Sequence, residues 1–81
     1  MTVGGEKESD LVKLWQTSIR YYRVELAQDL FGDTVLELRW GGLNSNRGGK
    51  KTLIVESWEQ GLERIEAIGK RRNQRGYWLV C

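Results

Sequence analysis

The sequence has no histidine, no proline and a single cysteine, Cys81, at its last position. Without histidine there is no imidazole for acid/base work, no Ser-His-Asp triad and no ordinary zinc site. A lone thiol at a chain end has neither a pairing partner nor an activating pocket, so Cys81 reads as a terminal thiol without a role. Stability that needs no disulfide makes the cytoplasm the default compartment. Long apolar runs are missing too: residues 53–55 and 77–81 fall far short of the roughly 20 residues of a membrane span. Residues 1–10 lack the basic flank and apolar stretch of a secretory signal. Their Thr, Gly, Glu, Lys and Ser content predicts a short disordered lead-in to one domain over residues 11–81. A chain of 81 residues builds one modest core and leaves little room for a water-excluding cleft. No catalytic residue, cofactor or metal is expected: Asp29 and Asp33 flank a turn but fit no calcium-loop spacing.

What is present alternates. Over residues 18–26, Tyr22, Val24 and Leu26 alternate with Arg23 and Glu25, the two-residue period of a strand with one wet face. Residues 11–16 carry a weaker alternation and are expected as a preceding edge strand. After a turn region around Gly32, residues 34–40 place Leu36, Leu38 and Trp40 on one face and Glu37 and Arg39 on the other. A glycine- and asparagine-rich stretch, residues 41–49, then leads into residues 50–56 with β-branched Thr52, Ile54 and Val55, which predicts a long hairpin. Gly48-Gly49-Lys50 is no P-loop, because the upstream glycine and the strand-to-helix context are absent.

One helix follows. Ser57 and Gln60 stand at capping-box spacing, and Trp58, Leu62, Ile65, Ile68 and Gly69 recur at three- and four-residue steps. Glu59 and Glu63 come early and Lys70, Arg71 and Arg72 late, as the helix dipole favours, and Gly76 supplies the stop. Residues 77–80 can return as a short strand. The expected fold class is therefore α+β: a twisted antiparallel sheet of four to five strands packed by one α-helix in the C-terminal half.

The net charge is only +2, but it is unevenly placed. Residues 39–51 contain Arg39, Arg47, Lys50 and Lys51 with no acid, and residues 70–75 contain Lys70, Arg71, Arg72 and Arg75 with none. Those eight of the thirteen cations leave five against eleven acids elsewhere, so a mildly acidic body carries two basic segments. Cations interleaved with aromatic residues suit nucleic acid, since phosphates take the charge and bases stack on rings. Plainer readings stand beside this one. Cations at a helix C-terminus answer the dipole, and by periodicity alone Trp40 belongs to the core, in register with Leu36 and Leu38. Trp15, Trp58 and Trp78 have still less claim to function.

The run Arg39-Trp40-Gly41-Gly42-Leu43 follows a strand and precedes a basic glycine-rich loop. Upstream lie Tyr21-Tyr22-Arg23-Val24-Glu25-Leu26 and the turn Asp29-Leu30-Phe31-Gly32; downstream lie Ser57-Trp58-Glu59-Gln60 and Arg75-Gly76-Tyr77. In this order the motifs resemble a WGR domain, in particular the small stand-alone bacterial members, over residues 18–78. The resemblance implies a twisted antiparallel sheet crossed by one helix. It also implies DNA contact, because in the poly(ADP-ribose) polymerases this domain meets strand breaks, the motif tryptophan against the terminal nucleotide and the motif arginine making polar contacts. The tryptophan corresponds to Trp40 and the first glycine to Gly41, while Gly42 occupies the arginine position, where a bare backbone cannot replace a guanidinium fork. The catalytic half of those polymerases does not carry over, and related modules in bacterial molybdate-metabolism regulators hint at regulation. Two functions are expected. The first is binding of DNA or another nucleic acid at an end, nick or single strand by Trp40, Arg39, Arg47, Lys50 and Lys51, extended by Arg71, Arg72 and Arg75. The alternative is a protein interaction module in a regulatory assembly, docking through the hairpin or a sheet edge. Neither involves a membrane.

Overall fold

The computed structural model describes residues 11–81, so the lead-in expected over residues 1–10 lies outside the described residues. Five strands and one helix follow in the order β1 (Leu11–Gln16), β2 (Arg20–Gln28), β3 (Thr34–Gly42), β4 (Gly48–Val55), α1 (Trp58–Gln74) and β5 (Trp78–Leu79). The sheet is antiparallel throughout, in the order β4-β3-β2-β1-β5. The first four strands form a meander, and α1 carries the chain back across one face so that β5 pairs with β1 at Trp15 and Gln16. The α+β architecture expected from the residue pattern is the one observed. β1 is not an edge strand, because β5 takes its outer side.

Register and alternation together sort the faces. Tyr22, Val24 and Leu26 of β2 lie opposite Trp40, Leu38 and Leu36 of β3, and Trp15 lies opposite Tyr22. This face meets α1; Val24, Leu26 and Leu36 are fully buried on it, Trp15, Leu38 and Val55 nearly so, and Ile65 joins them from the helix. Burying each of the large aliphatic side chains contributes about 1.5–3 kcal/mol. The opposite face carries Arg23, Glu25, Glu37, Arg39 and Lys50 and stays wet.

The ends of α1 are built as their residues dictate. Ser57 Oγ accepts from the Gln60 N–H at 3.1 Å, and Gln60 Oε1 reaches back to the N–H of Glu56 at 2.8 Å, one residue beyond the usual capping-box partner. At the other end Gly76 takes φ 88°. Its N–H donates to the Asn73 carbonyl at 3.1 Å and the Tyr77 N–H to the Arg72 carbonyl at 2.9 Å, the paired bonds of a Schellman stop. The expected apolar stripe faces the sheet except at Leu62: Ile65 is buried, and Trp58 and Ile68 pack against the core. Gly61 and Ile65 are the buried helix residues, whereas Leu62 is largely exposed. A Cβ on Gly61 would come within 3.2 Å of three carbons of Leu26, so the helix rests on the sheet through a missing side chain. No helix among the described residues is long and apolar enough to cross a membrane.

Candidate functional site

One end of the sheet collects three chain segments: the β1–β2 turn, the β3–β4 hairpin and the C-terminus of α1. Thr17 shapes the first, its Oγ1 accepting from the N–H groups of Ile19 and Arg20 at 3.2 and 2.9 Å. The Ile19 carbonyl in turn accepts from the Leu43 N–H at 2.8 Å, which ties that turn to the hairpin. The hairpin is tighter than the glycine content suggested. Gly41, Gly42, Gly48 and Gly49 all belong to strands, leaving residues 43–47 as loop. The pairing Trp40↔Gly49 explains why glycine is needed there: an added Cβ on Gly49 would sit 2.5 Å from Trp40 Cζ2, because the indole lies across that backbone.

These segments enclose an open groove of about 500 Å³. Tyr22 and Trp40 stack along one wall with ring centroids 6.1 Å apart and planes inclined by 17°. The Trp40 ring keeps 36% of its residue surface exposed, whereas Leu38, two positions earlier on the same face, is buried. The Arg72 guanidinium lies 4.4 Å from the Tyr22 centroid and 5.0 Å from that of Tyr77, so one cation is held against two aromatic faces. Arg72 Nε is buried without a hydrogen-bond partner. Arg20 and Arg47, both exposed, complete the charge around the opening.

Of the residues expected at a binding surface, Trp40, Arg47 and Arg72 meet in this groove. Lys51 shares the face of Trp40 but sits farther along β4, opposite Leu38. Arg71 and Arg75 flank Arg72 at the helix end without lining the groove. Arg39 and Lys50 do not join it. They are paired with each other on the opposite face, and Arg39 Nε lies 3.5 Å from Glu37 Oε1. Strand alternation puts neighbours in sequence on opposite faces, so Arg39 beside Trp40 in the chain is across the sheet from it. Arg20, Tyr22, Tyr77 and Ile19, outside the residues expected at the binding surface, also line the groove.

A second groove, of about 570 Å³, lies on the other flank of α1 between Trp15, Leu62 and Leu79, with Lys13, Glu66 and Lys70 at its margin. It offers mixed charge and no exposed aromatic stack. Among the described residues no cluster of His, Cys, Asp or Glu fits a metal ion. Cys81 is exposed and free.

No curated protein and no solved structure matches the chain. The family model of the WGR domain matches residues 9–80, nearly the whole sequence. With Trp40-Gly41-Gly42 closing β3 inside that span, the chain belongs to the WGR domain family.

Proposed function

We propose that this chain is a non-catalytic binding module whose groove around Trp40 takes nucleic acid at an end, a nick or an unpaired stretch. The observation that carries this is the convergence of a partly exposed Tyr22/Trp40 stack with Arg20, Arg47 and Arg72 in one groove. An aromatic face and several cations are the two elements that unpaired nucleic acid requires, one for the base and the others for phosphate. A base inside a duplex already has both faces covered, so an exposed indole gains a partner only where stacking is interrupted. Arg72 supplies a guanidinium in the groove although Gly42 has none, and its placement against Tyr22 and Tyr77 restricts its motion before any ligand arrives. Lys51, Arg71 and Arg75 add attraction at longer range. Arg39 and Lys50, on the far face, lie outside this contact.

The test is fluorescence anisotropy with labelled single-stranded, nicked and blunt-ended DNA at several salt concentrations. Three phosphate contacts predict a slope of log K against log salt of about −2 to −3. Failure of all three probes to bind at low salt removes the proposal.

A further inference from the structure

The end of the sheet away from the groove carries a turn with an apolar tip. Between β2 and β3, Leu30 and Phe31 are 82% and 88% exposed. The backbone beneath them is tightly fastened. Asp29 Oδ1 accepts from the N–H groups of Phe31 and Asp33, each at 2.9 Å. The Asp29 N–H donates to the Asp33 carbonyl at 2.9 Å, and the Gly32 N–H to the Asp29 carbonyl at 3.1 Å. A turn needs such an aspartate and glycine, but nothing in its geometry calls for a leucine and a phenylalanine between them. Two large apolar side chains on a fixed backbone form an anchor with little ordering entropy left to lose.

Among the described residues, the chain segments that meet at this end carry charge of one sign. Residues 28–34 and 55–60 contain Asp29, Asp33, Glu56 and Glu59 and no cation. At the groove end, residues 17–20, 41–49 and 71–77 contain Arg20, Arg47, Arg71, Arg72 and Arg75 and no acid. The described chain thus holds an acidic apolar projection at one end and a basic aromatic cavity at the other. The molecule is 40 Å long, and the nine residues of β2 that separate the two ends span about 30 Å. The two features cannot meet within one copy.

We propose that the domain associates head to tail, the Leu30-Phe31 turn of one copy seated in the Trp40 groove of the next. Phe31 meets the aromatic wall of Tyr22, Trp40 and Tyr77, and the acids beside the turn face Arg20 and Arg47. A groove of about 500 Å³ has room for the two side chains. Two side chains cover only part of the roughly 800 Å² per partner that a stable interface buries, so the contact is weak and depends on concentration. It is also heterologous and does not close on itself, so it extends as short open chains. An occupied groove is shut to nucleic acid. In this last consequence, and only there, the inference rests on the proposed function.

Sedimentation velocity without nucleic acid, at low salt and from about 10 μM to 1 mM protein, is the direct test, since that range brackets weak association. The weight-average sedimentation coefficient is expected to rise with concentration. The double variant Leu30→Ser/Phe31→Ser and the double variant Arg20→Glu/Arg47→Glu should each stay monomeric. All four positions are exposed, so both variants keep the fold. Mixed in equal amounts they should form a dimer and nothing larger, because one retains only the groove and the other only the turn. A wild type that stays monomeric, association that survives in either variant, or a mixture without dimer overturns the proposal. Titrating a labelled single-stranded oligonucleotide into Leu30→Ser/Phe31→Ser reads the groove alone. Binding there with a monomeric wild type leaves nucleic-acid recognition standing and removes self-association, and dimer in the mixture without oligonucleotide binding does the reverse.

Discussion

Gly49→Ala separates the groove from the fold. The new methyl would lie 2.5, 2.7 and 2.9 Å from Cζ2, Cε2 and Nε1 of Trp40, so the indole must leave its place across β4. Because Trp40 is already 36% exposed, it has solvent to move into, and the backbone need not shift. Two effects on stability then oppose each other. Losing the Tyr22/Trp40 stack costs about 0.5–1.5 kcal/mol. Replacing a strand glycine by alanine recovers about 0.5–1 kcal/mol of backbone entropy. These two terms nearly cancel, and the apolar indole surface newly exposed, at about 25 cal/mol per Å², sets the net cost, so the variant should lose no more than about 2 kcal/mol, a fall in Tm of up to about 16 °C for a domain of this size. Binding has no such compensation. Stacking of a base on an aromatic ring is worth about 1–3 kcal/mol, which corresponds to a loss of roughly 5- to 150-fold in affinity for a single-stranded oligonucleotide. An anisotropy titration and a urea melt on the same preparation read both quantities, with near-UV circular dichroism reporting the displaced ring. Wild-type affinity in a folded variant whose indole has moved would refute the reasoning. So would a loss of several kcal/mol in stability, which would make Trp40 a core residue.

Gly61→Ala should destabilise the domain even though alanine is the better helix former by about 1 kcal/mol, because forcing a methyl against Leu26 costs about 1–3 kcal/mol or more. A urea melt no weaker than wild type would show that α1 does not rest on Leu26. Arg72→Met keeps most of the packing between Tyr22 and Tyr77 and removes the charge, so stability should change by no more than about 2 kcal/mol while the salt slope of oligonucleotide binding flattens by about 1. An unchanged slope would place Arg72 outside the phosphate contact. Gly42→Arg adds a side chain whose Cβ meets only Ser45 Cβ closely, at 3.1 Å, on the rim of the groove. Affinity should rise and the salt slope steepen by about 1, and no change in slope would show that this position reaches no phosphate.

The strands β2 and β3 are legible because one face of each is buried, so Val24, Leu26, Leu36 and Leu38 had to alternate with charge. The helix is legible from both ends, since Ser57 and Gly76 do jobs few other residues can. Gly61 carries no signal in the apolar period because a glycine contributes no hydropathy, although a Cβ there would run into Leu26. The groove was half legible. Grouping cations by distance along the chain put Arg39 and Lys50 with Trp40, whereas the same two-residue period that located β3 already assigned them to opposite faces. That period also put Tyr22 on the face of Trp40 once the hairpin register was known. Tyr77 had no such signal. It reaches Arg72 only through the Schellman turn at Gly76, a product of tertiary assembly.

Face assignment also resolves why a net charge of +2 understates the groove. The two ion pairs among the described residues, Arg23 with Glu25 at 3.4 Å and Arg39 with Glu37 at 3.5 Å, both lie on the face away from α1. The register sets Arg23, Arg39 and Lys50 side by side across three strands, a like-charge row that costs stability unless acids stand beside it. Glu25 and Glu37 form the adjacent row and relieve that repulsion. Such partly exposed pairs contribute little to folding, about 0–1 kcal/mol each, but they consume negative charge on the face where it does not oppose an anionic ligand. The remaining acids of the described strands, turns and first helical turn gather at the Leu30-Phe31 end, so Arg20, Arg47 and Arg72 meet no acid in the groove. A polyanion approaching the domain therefore senses the groove's local charge rather than the molecular sum, since at physiological ionic strength fields fade over about 8 Å and the acidic end lies several such lengths away.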